Sequence, residues 1–101
     1  MSTETEIENE IVTKGLTAPR ITPAMIDAAI VGELSHVFPG TTLTVCVLKL
    51  ANGFTVTGES ACASPENFDA ELGLNIAREN AREKIWALEG YRLRSELAAA
   101  A

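Results

Sequence analysis

The chain has 101 residues, with fourteen acidic and eight basic side chains and a formal net charge of −6. Apolar residues make up 47% and charged residues 22%, which is typical of one folded domain and excludes a disordered or low-complexity chain. The apolar runs are far shorter than the roughly 20 residues that span a bilayer, and no secretory leader is visible, so we expect no membrane association. The acidity argues against nucleic acid as a partner, since such binding relies on phosphate contacts.

Metal-ligating residue types are few. The chain has two cysteines, Cys46 and Cys62, and one histidine, His36. A structural zinc site needs about four nitrogen or sulfur ligands, so we predict neither a metal nor a cofactor. A disulfide between the cysteines is possible if neighbouring strands carry them, but without an export signal we expect both thiols to stay reduced.

The first nineteen residues are acidic and carry little apolar material. Four glutamates occupy alternate positions, namely Glu4, Glu6, Glu8 and Glu10. Such a pattern buries little surface as a helix or as a strand, so residues 1–14 are predicted to be a mobile arm and residues 15–19 a linker. The alternative is that Ile7 and Ile11, one helical turn apart, dock weakly on a partner subunit.

The next segment carries a helix start. Thr22 is a good N-cap, and Pro23 suits the first helical position, where its missing N–H group costs nothing. An apolar face follows, and Pro39-Gly40 ends the segment. The pattern predicts a helix from Pro23 to about His36.

A β-hairpin follows this helix. Residues 41–50 are rich in β-branched side chains, and residues 54–59 alternate between apolar and polar types. Asn52-Gly53 between these runs is a strong hairpin signal. An isolated hairpin is marginally stable in water, so this one must pack on helices or on another chain.

A long helix is predicted from Pro65 to about Leu88, with Ser64 as its N-cap and an interruption at Glu89-Gly90. The fold class is therefore α+β: an N-terminal helix, a hairpin and a long C-terminal helix in one domain over residues 20–97, followed by an alanine tail at 98–101. The long helix carries two apolar stripes, and Trp86 on one of them is a predicted core residue whose indole N–H finds a partner. Since a chain of this size leaves much apolar surface uncovered, the stripes and the hairpin together predict a homo-oligomer.

Between the stripes lies a polar strip with two arginines one turn apart. Asn75, Arg78 and Arg82 belong to it. One interpretation is a solvated face with local ion pairs. The other is a clamp for an anion, because the guanidinium fork matches carboxylate and phosphate geometry.

A second candidate site lies just before the long helix. Its loop contains Glu59, Ser60, Cys62 and Ser64, and a helix N-terminus favours an anion there. The alternatives are that these residues only cap and turn the chain, or that Cys62 is a nucleophile. Tyr91 is predicted to be exposed and able to stack on a ligand. No phosphate loop, carboxylate pair or hydrolase motif is visible, so we expect no enzyme activity.

Three stretches resemble one family of phage proteins. They are Arg-Ile-Thr-Pro at 20–23, the stretch from Phe54 to Gly73 and the stretch from Ile76 to Tyr91. From about residue 20 to residue 97 the chain resembles the small tailed-phage proteins named after gene forty-nine of phage N-four and gene sixty-six of phage Sf-six. The resemblance implies a phage or prophage origin and action in the cytoplasm of an infected bacterium, and it brings no catalytic residues.

Two functional hypotheses follow for a phage accessory protein that acts on its host. By analogy with unrelated phage proteins, the chain is an oligomeric sponge for a small anionic ligand such as an immune signalling nucleotide. The alternative is a protein that binds and inhibits a host protein. The ligand-contact candidates are Glu59, Ser60, Ser64, Asn75, Arg78, Arg82 and Tyr91.

Overall fold

The computed structural model describes residues 3–101, in which helices cover one face of a three-stranded antiparallel sheet. The elements are α1 (Glu4–Thr13), α2 (Pro23–Ala29), β1 (Ile30–Val37), β2 (Leu43–Leu50), β3 (Thr55–Ala61), a 3₁₀ turn (Pro65–Asn67) and α3 (Ala70–Ala100). The strands lie in the order β1-β2-β3. The α+β class, with its N-terminal helix, hairpin and long C-terminal helix, is confirmed.

The hairpin of β2 and β3 forms around the Asn-Gly turn, as predicted. Gly53 has a φ of 90°, in the left-handed region that glycine adopts without strain. The Leu50 N–H donates to the Phe54 carbonyl oxygen at 2.8 Å and closes the turn. Alternate residues of β2, from Thr44 to Leu50, are buried on the inner face of the sheet.

The segment predicted as one helix from Pro23 to His36 is a short helix followed by a strand. Its start is as expected, since the Thr22 hydroxyl accepts from the Met25 N–H at 3.3 Å. The helix ends at Ala29, however, and β1 then pairs with β2 through a register shift between Ile30 and Gly32. Only Ile30, Val31 and Val37 of this segment are β-branched, so the strand is favoured mainly by pairing with β2, which satisfies the backbone groups along that edge.

The acidic N-terminal segment is helical over Glu4–Thr13, so the expectation of no regular structure there is wrong. A capping box starts α1: the Glu6 N–H donates to the Thr3 hydroxyl at 3.1 Å, and the Thr3 N–H donates to the Glu6 carboxylate at 3.2 Å. These bonds satisfy backbone donors that a helix start leaves free, and glutamates in the first turn favour the helix dipole. Residues 1 and 2 of the predicted arm lie outside the described residues.

The core lies between α3 and the inner face of the sheet. Ala77, Ala81 and Ile85 of α3 are fully buried, together with side chains of α2, β2 and β3. The approach is closest at Gly58 of β3, where a Cβ atom would collide with the carbonyl oxygen of Ala77 and the backbone nitrogen of Ala81. Small residues on both sides therefore let the backbones of the helix and the strand meet.

The long helix begins and ends later than predicted. Asp69, not Ser64, caps α3, and its carboxylate accepts from the Leu72 N–H at 2.9 Å. Ser64 precedes the 3₁₀ turn and makes no side-chain cap bond. The helix continues through Gly90 to Ala100 because one glycine costs only about 1 kcal/mol and ion pairs of Arg92 reinforce that stretch.

Only one of the two apolar stripes of α3 is buried. The stripe of Ala77, Ala81 and Ile85 faces the sheet, whereas Leu72 and Ile76 on the other stripe remain exposed. Trp86 is partly buried at the margin of the core rather than inside it. Burial on two sides is thus not seen within the described chain.

Candidate functional site

A cleft of about 1170 Å³ opens between α1, α2, α3 and the inner face of β1. Its apolar wall consists of isoleucines from four parts of the chain and one indole ring: Ile7, Ile11, Ile21, Ile30, Ile76 and Trp86. Asn75, Arg78 and Arg82 also line it. The cleft therefore places two cations beside an apolar surface, an arrangement that suits ligands with a charged group and an apolar body.

Arg82 is the best-shielded cation of the cleft, with only 14% of its side chain exposed. Its Nε and Nη2 atoms donate to the Glu4 carboxylate at 2.6 and 2.9 Å. Nη1 lies 2.7 Å from an Asp27 oxygen, and Nη2 is also 3.3 Å from the Pro23 carbonyl oxygen. Contacts from α1 and α2 thus fix the guanidinium plane.

The Glu4 carboxylate is held by more than the arginine. The Trp86 indole Nε1–H donates to the same oxygen, Oε2, that accepts from Arg82 Nε, at 3.0 Å. The hydrogen bond from Arg82 lowers the pKa of Glu4, burial opposes this effect, and the Trp86 hydrogen bond adds to it. Arg82 and Trp86 together form a three-donor anion site, and a carboxylate of the chain itself occupies it.

Arg78 lies one turn before Arg82 and has a different partner. Its Nε and Nη2 atoms donate to the Glu33 carboxylate of β1 at 2.6 and 2.9 Å. Its Nη1 atom donates to the Asn75 side-chain oxygen at 2.9 Å. The hydrogen bonds from Arg78 lower the pKa of Glu33, again against a smaller effect of burial.

The structure thus brings three predicted site residues, Asn75, Arg78 and Arg82, into one cleft. Both arginines are paired, but their partners come from distant elements rather than from the local glutamates of α3 that one interpretation assumed. Sequence reasoning missed the three acidic partners, Glu4, Asp27 and Glu33. The capping box of Thr3 and Glu6 was the available signal for α1, but nothing local indicated where its glutamates would dock.

The other predicted site residues lie outside the lining of this cleft. Glu59 and Ser60 are on β3, and the Glu59 backbone oxygen accepts from the Asn80 side chain at 2.8 Å. The Ser64 carbonyl oxygen accepts from the Cys62 thiol at 3.3 Å, so this loop folds on itself as a turn. Tyr91 is 77% exposed on α3.

The thiols are free, and neither cysteine is part of the cleft lining. Cys46 is buried between the sheet and α3, and burial raises the pKa of its thiol. Cys62 is partly exposed. Over residues 3–101, no group of three His, Cys, Asp or Glu side chains is placed to hold a metal ion, and none of the helices described is long and apolar enough to cross a membrane.

Comparison with known proteins places the chain in one family. No curated protein and no solved structure shows significant similarity to it. The model of the family described as "Phage protein (N4 Gp49/phage Sf6 gene 66)" matches residues 21–97, which include α2, the sheet and nearly all of α3 but not α1. The chain therefore belongs to this family of phage proteins, as the resemblance of its sequence indicated.

Proposed function

We propose that this phage accessory protein is a non-enzymatic binding module that sequesters a small anionic ligand, such as an immune signalling nucleotide, in the cytoplasm of the infected bacterium. The observation that carries the proposal is the Glu4 carboxylate on Arg82 and Trp86. An anion-binding site is formed there in full, and its occupant is a side chain that can leave. A carboxylate and a phosphate oxygen pair present the same acceptor geometry to a guanidinium fork.

The position of the donors along the chain supports this assignment. Arg82 and Trp86 lie inside the region that matches the family, whereas Glu4 lies outside it. Asp27 contacts the guanidinium from another direction, through Nη1, so Arg82 would retain one carboxylate partner if Glu4 left. The domain thus supplies the anion site, and the N-terminal helix supplies its present occupant.

The walls of the cleft suit the uncharged part of a nucleotide. Binding sites for small molecules commonly have volumes of about 300–1,000 Å³, and the volume of this cleft is similar. Ile30 and Ile76 offer apolar surface to a base, and the Trp86 ring offers an aromatic edge. Arg78 lies one turn away and could meet a second anionic group if Glu33 gave way.

Glu4 competes with any ligand for Arg82 under this proposal. The apparent dissociation constant is then the intrinsic one divided by the fraction of molecules in which the site is open. Replacing Glu4 by glutamine removes the charge of the competitor but keeps its shape. We therefore expect Glu4→Gln to tighten ligand binding, an effect that no purely structural ion pair would produce.

The test is calorimetric titration of a panel of cyclic and linear nucleotides into the parent protein and its variants. Each contact of an arginine with an anion is charge-assisted and worth about 1.5–3 kcal/mol, so Arg82→Ala should weaken binding roughly ten- to a hundredfold. Arg92→Ala is the matched control, because Arg92 also pairs with two carboxylates but lies outside the cleft. If nothing in the panel binds even to Glu4→Gln, the proposal fails. If a nucleotide binds equally to the parent and to Arg82→Ala, its site lies elsewhere.

One observation favours the alternative, inhibition of a host protein. α3 continues to Ala100, although Ile85 is its last buried residue, and Tyr91 on the projecting part is 77% exposed. Exposed aromatic side chains are frequent anchors of protein interfaces. An inhibitor would lose host-protein binding on Tyr91→Ala and keep it on Arg82→Ala, the reverse of what the ligand cleft requires.

A further inference from the structure

The outer face of the sheet, which is turned away from α3, is open and carries three aliphatic side chains, Leu34, Val45 and Val47, among polar ones. Three rows of side chains or glycines cross it in register: Gly32–Lys49–Thr55, Leu34–Val47–Thr57 and His36–Val45–Glu59. Leu34, at the middle row, is 73% exposed. Val45 and Val47 are half-buried beside it. Antiparallel sheets commonly leave one polar face in water, so an exposed leucine beside two valines is the unusual feature of this face.

The charges on this face are separated along the strands. Lys49 lies at one end of the face, with its side chain against Gly32, and Glu59 lies two rows away on β3. Both side chains are exposed, and within residues 3–101 neither is part of an ion pair. The face therefore has an apolar centre, a positive end and a negative end.

We propose that the outer sheet face binds the outer sheet face of a second copy of this chain. In a symmetric dimer the two-fold axis would lie between the two sheets and perpendicular to the strands. Each strand would then lie over the same strand of the other copy and run in the opposite direction. The Lys49 end of one copy then meets the Glu59 end of the other, twice by symmetry. Facing sheets pack about 10 Å apart, a gap that a lysine and a glutamate side chain bridge together.

The area of the face suits a reversible dimer. Three strands about 4.8 Å apart and seven residues of about 3.4 Å each give roughly 350 Å² of flat area per copy. Because side chains make the real surface larger, two such faces bury on the order of 1,000 Å², near the lower limit for a specific interface. Burial of Leu34 and Val47, which share the middle row, against their own copies would supply most of the stabilisation. We expect dissociation in the micromolar range rather than an obligate dimer.

The first test is sedimentation equilibrium of the parent protein from about 1 µM to about 1 mM, a range that brackets micromolar affinity. We expect a shift from the mass of one chain to the mass of two. Leu34→Lys should abolish the shift, since it removes the exposed leucine and places two ammonium groups opposite each other at the two-fold axis. The matched control is Leu72→Lys, an exposed leucine on α3 that should leave the shift unchanged. A parent that stays monomeric throughout, or a Leu34→Lys variant that dimerises like the parent, would overturn the proposal.

The second test examines the crossed orientation. Lys49→Glu and Glu59→Lys each place like charges opposite one another and should weaken the dimer at least tenfold. The double variant restores both pairs with the signs exchanged, so its dissociation constant should return to within about threefold of the parent value. Lys84→Glu on α3 makes the same change in net charge as Lys49→Glu away from the face and should have little effect. A double variant as weak as the sum of the single ones would show that the two copies do not face each other in this way.

Discussion

Gly58 gives the sharpest test of how α3 packs on the sheet. A Cβ atom at this position would overlap the backbone of α3 at Ala77 and Ala81, and a backbone cannot rotate away as a flexible side chain can. Gly58→Ala therefore forces the helix back by roughly 1.4 Å to reach an ordinary van der Waals separation of about 3.5 Å. The whole buried stripe of α3, down to Ile85, would lose contact with the sheet.

The expected cost of Gly58→Ala is at least about 3 kcal/mol, the upper part of the range for overpacked cores. A domain of this size has about 5–15 kcal/mol in total, so the variant should fold but with much less stability. With a urea dependence of about 1.5 kcal/mol per molar, the unfolding midpoint should fall by about 2 M. The fluorescence of Trp86, the only tryptophan, reports the transition.

Gly32→Ala is the matched control, because it makes the same chemical change in β1 of the same sheet. A Cβ atom there lies 3.6 Å from the Lys49 Cβ, which is ordinary contact. Alanine is better than glycine in a strand by roughly 0.5–1 kcal/mol, so this variant should be as stable as the parent or slightly more so. If both variants unfold at the parent midpoint, α3 does not approach the sheet as closely as described, and the reasoning about the core is refuted.

Three further outcomes are expected. The pKa of Glu4 lies below its ordinary value of 4.5. The pairing of Glu4 therefore stabilises the docked α1 above pH 4.5, and this stabilisation is lost as the pH falls through the lowered pKa. An acid titration followed by Trp86 fluorescence should show a transition that the Glu4→Gln variant lacks. Thr3→Ala removes the capping box and should cost α1 about 1 kcal/mol, seen as a lower helix content by circular dichroism, whereas a parent-like spectrum would mean that Glu6 alone suffices. Trp86→Phe keeps most of the packing but loses the N–H donor to Glu4, and should lower the unfolding free energy by about 1 kcal/mol; a larger loss would place the ring deeper in the core.

The sequence predicted the elements whose signals are local. The Thr22-Pro23 start and the Asn52-Gly53 turn each depend on a few adjacent residues, and both are where they were expected. The end of α2 at Ala29 was not predictable in this way. Residues 30–37 fit a helix by their apolar spacing, and only the free edge of β2, which lies later in the chain, favours a strand there.

The candidate site shows the same difference between local signals, which the sequence reveals, and contacts between distant residues, which it does not. The spacing of Arg78 and Arg82 placed them side by side on α3 and into the cleft, as a helix requires. Their carboxylate partners are distant in the chain: Glu33 is 45 residues from Arg78, Glu4 is 78 residues from Arg82, and Asp27 is on α2. The spacing of residue types along the sequence does not indicate contacts between residues so far apart in the chain. The anion site therefore became visible only when the tertiary structure brought α1, β1 and α3 together.

The balance of forces at Arg82 decides whether this anion site can exchange its occupant. Glu4 is about one-third exposed, so water would hydrate its carboxylate as it leaves and would lower the cost of its displacement by a ligand. Arg82 itself is better shielded, and removing its last partner would leave a charge with poor hydration. Asp27 on Nη1 would keep one carboxylate beside the guanidinium, although its side chain is 69% exposed and its contact is the weaker of the two. A phosphate carries more charge than a carboxylate and would displace Glu4 in preference to Asp27, since only Glu4 shares its acceptor position with the Trp86 N–H.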